Sequence, residues 1–169
     1  MALPRTLKNF NLFNDGTSFV GLIPSVTLPK LTRKMEDYRA GGMNGPIKSD
    51  QGIEALTMEW TAGGYIRQVF EQWGATQHDA VALRFAGALQ ADDTGAVTAV
   101  EVFVRGRHSE IDPGESTAGE KTEVKVKSEL SYYRLEMDGR TIIEIDVMNL
   151  VEVVGGVDRL AEVRAAIGL

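Results

Sequence analysis

Two groups of carboxylates carry the residue types that acid–base or metal chemistry needs. Asp112, Glu115, Glu120 and Glu123 lie close together in sequence, and so do Glu144 and Asp146. Such groups could hold calcium, or serve as the acid and base of a glycosidase. A calcium loop repeats its ligands at fixed offsets, and no such spacing occurs here; charged turn residues account for both groups. The histidines His78 and His108 sit in or beside loops without metal-ligand spacing, which predicts surface positions. No serine stands in a Gly-x-Ser-x-Gly context. Gly41-Gly42 and Gly63-Gly64 do not make a phosphate loop, although Gly64 precedes a helical pattern. The expectation is no catalytic residue, no metal site and no cofactor. A hydrolase using Asp112 or Glu115 is the catalytic alternative, and it would make one of them essential for turnover.

Composition narrows the remaining classes. At 169 residues, the chain is long enough for one domain with a substantial core. Hydrophobic residues make up 43% and charged residues 25%, ordinary values for a globular protein. No apolar run reaches membrane-spanning length, so no membrane anchoring is expected. The start, MALPRTLKNFNLF, lacks the apolar core and cleavage site of a signal peptide. Absence of cysteine excludes disulfides and thiolate chemistry. Acidic residues outnumber basic ones 24 to 18, for a net charge of −6. That balance disfavours tight nucleic-acid binding, which requires neutralisation of phosphates by lysine and arginine.

Strand patterns dominate the elements that would position these residues. Thr17–Ile23 is short and apolar after an Asp15-Gly16 turn. Gly52–Thr61 alternates, with Glu54, Leu56, Met58 and Trp60 on one side. Val81–Leu89 and Val97–Arg107 flank an Asp92–Gly95 turn and predict a hairpin. Lys121–Met137 alternates as Val124, Val126, Leu130, Tyr132, and then the apolar phase moves to Tyr133, Leu135 and Met137. A one-residue slip of that kind predicts a β-bulge. Asp138-Gly139 predicts a two-residue turn back into Arg140–Ile145, and Leu150–Val154 reads as one more short strand. Helical spacing appears at Tyr65–Trp73 and Val157–Ile167. The fold class is mainly β: antiparallel sheets, barrel- or sandwich-like, with one packed helix and a short C-terminal helix. Tyr132 and Tyr133 lack a basic frame for stacking bases and are expected in core or interface packing.

Pro24–Met43, PSVTLPKLTRKMEDYRAGGM, departs from this pattern. Pro29 breaks a short strand, a charged run follows, and glycine-rich sequence continues to Gly52. A compact domain rarely carries about 20 residues of loop without using them. Residues 32–52 therefore read as an extended docking loop. Met35, Tyr38 and Met43 serve as apolar anchors among Lys34, Glu36 and Arg39. The chain reads as an assembly protein.

Stretches along nearly the whole length carry a family resemblance. They are Asn11–Phe13 with Asp15-Gly16, Pro24–Leu31, Tyr38–Met43, Pro46, Asp112-Pro113-Gly114, Ala118–Lys121, Ser131–Arg140, Glu144–Asp146 and Asn149. In this order and spacing the chain resembles the major tail tube proteins of contractile-tailed bacteriophages and R-type bacteriocins. The resemblance implies hexameric rings stacked head to tail into a hollow tube, with each subunit giving strands to a barrel around the lumen. It implies a tail sheath, a baseplate or tube initiator and a tape-measure protein as partners, and transient passage of DNA in a phage. It implies a place in the virion tail, or in a phage-tail-like particle, assembled in the host bacterial cytoplasm. Within a single domain of residues 1–169, residues 1–14 would then form an N-terminal arm. Leu3, Phe10, Leu12 and Phe13 of that arm would join the 32–52 loop in contacts between subunits or rings. Glu54, Glu59, Glu123, Lys125, Lys127 and Glu129 are the lumen-facing candidates, and the net charge suggests an acidic lumen. The tube protein of a related secretion or toxin-delivery machine is an alternative within this class. A monomeric ligand-binding β-barrel is the alternative outside it.

Overall fold

A computed structural model describes residues 1–169. Its strands are β1 Arg5–Asn14, β2 Thr17–Ser18, β3 Ser25–Thr27, β4 Arg33–Tyr38, β5 Ile47–Ile53, β6 Leu56–Ala62, β7 Val81–Ala91, β8 Val97–Asp112, β9 Val124–Met137, β10 Arg140–Asp146, β11 Val151–Val154 and β12 Val157–Asp158. Two short helices, α1 Arg67–Glu71 and α2 Ala161–Ala166, complete the chain. Antiparallel pairing throughout matches the predicted class. The Asp138-Gly139 turn has φ of 50° and 76°, the left-handed pair that a type I′ hairpin turn requires.

The long strands β8 and β9 belong to two regions of one sheet. In the larger region the order is β2-β1-β7-β8-β9-β10-β11-β12. In the smaller, the first half of β9 and the second half of β8 continue into β6 and β3. The regions meet where Arg105 pairs with Tyr132 and Gly106 with Leu130, leaving Ser131 as an extra residue in β9. That is the bulge the phase switch predicts. Before it Val124, Val126 and Ser128 are buried, and after it Tyr133 is. Both regions therefore turn their apolar faces to a single core, built from Leu56, Met58 and Trp60 of β6, Val81, Leu83 and Phe85 of β7, and Val102 and Val104 of β8. Each such side chain contributes about 1.5–3 kcal/mol on burial.

Several expectations are corrected. The 1–14 arm is largely a strand: β1 pairs along β7, with a register shift between Leu7 and Asn9 that breaks its alternation. The 32–52 loop is a hairpin, β4 against β5, and these two pair only with each other. Gly52–Thr61 is two strands rather than one, because Glu54 stands in phase with Leu56, Met58 and Trp60 and cannot enter the core with them. The backbone leaves the strand at Glu54 and Ala55, and Glu54 is exposed. Of Thr17–Ile23 only Thr17–Ser18 is strand, and Phe19 turns into the core. The helical pattern at Tyr65–Trp73 yields only Arg67–Glu71, with Val69 buried and Tyr65 and Trp73 exposed. At Val157–Ile167 the first two residues pair with β11. Asp158 then accepts from the Leu160 N–H at 3.1 Å in the turn ahead of α2, which buries no residue.

Candidate assembly surfaces

Three of the acidic residues that could have suggested chemistry are held in local hydrogen bonds. Asp112 Oδ1 accepts from the Gly114 N–H at 2.9 Å. Asp146 accepts from the Met148 and Asn149 backbone N–H groups at 3.1 and 3.2 Å. Glu144 accepts from the Tyr132 hydroxyl at 3.1 Å. No three His, Asp or Glu side chains converge as a metal site would require.

His108 is the largest departure from the sequence reading of single residues. His78 is exposed, whereas His108 is 6% exposed on the core side of β8. Its Nδ1 lies 2.9 Å from the Ser128 Oγ, and its Nε2 lies 3.0 Å from the Gln72 Oε1. Gln72 Nε2 donates to the Asp15 carboxylate at 2.7 Å, so its Oε1 faces the histidine and receives the Nε2 proton. Nδ1 then accepts from Ser128. Gln72 also donates to Asn14 Oδ1, at 2.7 Å, and Asn14 is fully buried. The serine–histidine contact resembles a nucleophile and its base, but Ser128 is 1% exposed and no substrate reaches it. The network instead ties α1 and the β1–β2 turn to β8 and β9. His108 was recoverable from sequence: it continues the buried alternation Val102, Val104, Gly106 beyond the point where the apolar pattern stops.

Burial pushes the His108 imidazole down to about 4, against a smaller upward pull from Asp15. The folded-state value is below the ordinary 6.5, so on acidification the unfolded chain takes the proton first. Stability supplied by neutral His108 is complete above about 6.5 and lost as pH falls towards 4, in total about 3 kcal/mol. Urea unfolding at pH 7 and pH 4.5 should show this loss in the native sequence, and His108→Gln should flatten that part of the profile. An identical pH slope in both chains would contradict it.

The outward face of the smaller region carries most of the predicted lumen residues. Glu59 pairs across the ladder with Lys127, Thr57 with Glu129, and Thr61 with Lys125. Thr57 donates to Glu129 at 3.0 Å, and Ser109 also donates to it, at 3.3 Å. The structure thus brings Glu59, Lys125, Lys127 and Glu129 together on one polar face of mixed charge. Glu54 lies off the strand, and Glu123 precedes β9 in an ion pair with Lys121.

The predicted contact residues divide. All of β4 is exposed, Lys34, Met35, Glu36 and Tyr38 included. Arg39 and Met43 form the tip, where the Arg39 Nε donates to the Met43 carbonyl at 3.3 Å. The Thr32 carbonyl accepts from the Glu54 N–H at 2.8 Å, and Arg33 pairs with Glu152 of β11, so the ribbon is held at its base. Leu3 is exposed ahead of β1. Leu12 does not belong to a contact surface, since it is fully buried in the core. Phe10 is half-buried and stacks on Phe85 at 5.4 Å, and Phe13 lies half-buried under Arg84.

Two stretches of backbone keep one side unpaired. β3 pairs only with β6. β7 leaves β8 at the Val81–Gly106 pair, so Arg107–Asp112 is bordered by β9 alone. The smaller region is therefore a four-stranded sheet, β3-β6-β9-β8, with a free edge at each side.

The family model for phage tail tube protein FII matches residues 4–168. The tail tube protein of Escherichia phage P2 is 53% identical over 172 aligned positions, covering all of both chains. The major tail tube protein of Serratia phage KSP20 is 40% identical and covers 89% of this chain and 88% of its own. In fold, the chain is similar to a component of the sheath–tube complex of an extracellular contractile injection system, PVC, in its extended state. There the TM-score is 0.58 at 13% identity, covering 79% of this chain and 90% of that one. An antiparallel fold with free sheet edges and a projecting ribbon, matched along its whole length by tail tube proteins, places this chain in the phage tail tube protein FII family as a structural subunit of the tail tube.

Proposed function

We propose that six copies of this chain close a ring and that rings stack head to tail into the hollow inner tube of a contractile tail. The observation that supports this most is the pair of free edges on the four-stranded sheet. Strand direction alternates along β3-β6-β9-β8. A β3 edge set beside the β8 edge of the next copy is therefore antiparallel, as the rest of the sheet is. Repetition of one heterologous contact closes a ring when its rotation allows, and closure removes the exposed edges that are liabilities in a single copy.

In that ring the face bearing Glu59, Lys125, Lys127 and Glu129 lines the channel of a barrel, with Glu54 and Glu123 at its margins. Two acids and two bases balance on it, so the acid excess of the whole chain is not concentrated there. DNA in transit meets hydroxyls and paired charges, which give a polyanion little to hold. The β4–β5 ribbon, with Lys34, Met35, Glu36, Tyr38, Arg39 and Met43, docks on an adjacent ring or neighbour. Two-stranded ribbons are marginal alone in water, and docking would supply the missing packing. Leu3, exposed ahead of β1, joins the same contacts. A sheath surrounds the tube, a baseplate or initiator starts it, and a tape-measure protein and then DNA occupy its channel. Its place is the virion tail, assembled in the host cytoplasm, and its work is mechanical, without catalysis.

Negative-stain electron microscopy of the purified chain across a range of concentrations, after a sizing column, tests the reading. Rings with a central hole or stacked hollow tubes are expected. A compact monomer at every concentration, even with the initiator added, would overturn it in favour of a monomeric barrel.

A further inference from the structure

The outward face of the larger sheet region carries a row of side chains with no role in the core. Phe13, Arg84, Phe103 and Arg134 are successive cross-strand partners over β1, β7, β8 and β9. Aromatic rings and guanidinium groups alternate along this row. Arg84 lies 4.7 Å from the Phe13 ring centroid and 5.6 Å from that of Phe103, and Arg134 lies 4.2 Å from Phe103 on the other side. Beside the row, Arg105 stacks on Tyr132 at 4.0 Å. Together they border a groove of about 370 Å³, whose lining includes three arginines and no carboxylate.

The groups around the groove are already fixed. Glu101 holds Arg84 at 2.9 Å, Glu136 lies 3.1 Å from Arg134, and Glu144 holds the Tyr132 hydroxyl. Arg105 is exposed and stands in no ion pair, and the Arg84 Nε is buried without a hydrogen-bond partner. The Arg105 guanidinium, stacked on Tyr132 and outside these pairs, keeps its fork free for a planar, bidentate acceptor. A groove with aromatic walls and one free, pre-positioned guanidinium, that of Arg105, is complementary to a carboxylate-bearing segment.

We propose that this groove is the docking site for an acidic segment of the sheath subunit, a reading that rests on the tube assembly above. The groove and the proposed channel face lie on opposite sides of the core, because both sheet regions turn inward to it and these are their outer faces. If one face lines the channel, the other forms the outer wall, where the sheath lies. The chain's own docking ribbon is a poor occupant: Arg33, Lys34, Arg39 and Lys48 offset its Glu36, Asp37 and Asp50.

The test uses assembled tubes and the cognate sheath protein, with sheathed tube length scored by electron microscopy and co-sedimentation. Arg105→Glu alters an exposed side chain and should leave tube formation unchanged while lowering sheath coverage at least tenfold. Arg105→Lys should fall between the two, since an ammonium lacks the planar fork. Sheathing of native tubes should weaken as salt rises, as screening requires. Undiminished sheathing of Arg105→Glu tubes would overturn the proposal. So would loss of tube formation in that variant alone, which would assign the groove to a contact between copies. Failure of the native chain to form tubes would instead count against the tube reading itself.

Discussion

Replacing Gly106 by alanine is expected to leave the chain largely unfolded. An alanine Cβ at this position would lie 2.0 Å from the Glu129 carbonyl oxygen and 2.9 Å from the Leu130 Cα. Both are backbone atoms of β9, so no side-chain rotation relieves the overlap. The crowding arises where the two sheet regions meet: Ser131 is the extra residue of the bulge, and β9 bends there against β8. Forcing the strands apart would disturb pairing on both sides and the packing of Tyr133, Val104 and Val126. We expect a loss of about 4 kcal/mol or more, in the range that exhausts the stability of many domains. Gly41→Ala is the control, since nothing lies within 4 Å of its added carbon. Urea unfolding followed by far-UV circular dichroism should show little change for Gly41→Ala and little native structure for Gly106→Ala. A native-like unfolding midpoint for Gly106→Ala would refute this account of the bend.

Removing the β4–β5 ribbon should separate folding from assembly. Arg33 and Ile53 are cross-strand partners at its base, so a short Gly/Ser linker can replace Lys34–Gly52 without moving either end. Ile53 stays, because it packs against the core. No other strand pairs with the ribbon, and its side-chain tie to the body runs from the retained Arg33 to Glu152. The shortened chain should melt within a few degrees of the full one and form no tubes. Loss of fold would mean that the ribbon supports the domain. Tubes of normal length would mean that the ribbon is not the contact between rings.

The contrast between these two regions explains what could be read from sequence. Where one sheet face is buried, alternation reports it: β7, β8 and β9 were legible, including the bulge, because Val124, Val126 and then Tyr133 must all reach one core. The Asp138-Gly139 turn was legible for a local reason, its need for two left-handed residues. The ribbon was not, because neither of its faces is buried and no periodicity marks Arg33–Tyr38. In β1, the register shift at Lys8 and the polar, fully buried Asn14 hide a strand behind irregular sequence, and Leu12 was misplaced with it. The burial of His108 was legible in the alternation of β8, but its partners, Ser128 and Gln72, were not, because they are distant in sequence. Glu59 and the Lys125–Glu129 stripe were legible as one outward polar face, since they alternate with buried residues. Glu54 stands apart from that face because the backbone leaves the strand there. The arginine–aromatic row had no signal in one dimension, because its members come from four strands.

In the proposed tube, the β3-β6-β9-β8 sheet lines a channel and joins the next copy edge to edge. Cryo-electron microscopy of tubes assembled from the native chain tests it most directly. Six-fold rings are expected, in which β3 of one copy is hydrogen-bonded to Arg107–Asp112 of the next. Glu59, Lys125, Lys127 and Glu129 should point into the bore, and Arg84 and Arg105 should lie on the outer wall. A bore lined by the Arg84–Phe103 face, or rings in which both sheet edges stay unpaired, would contradict it.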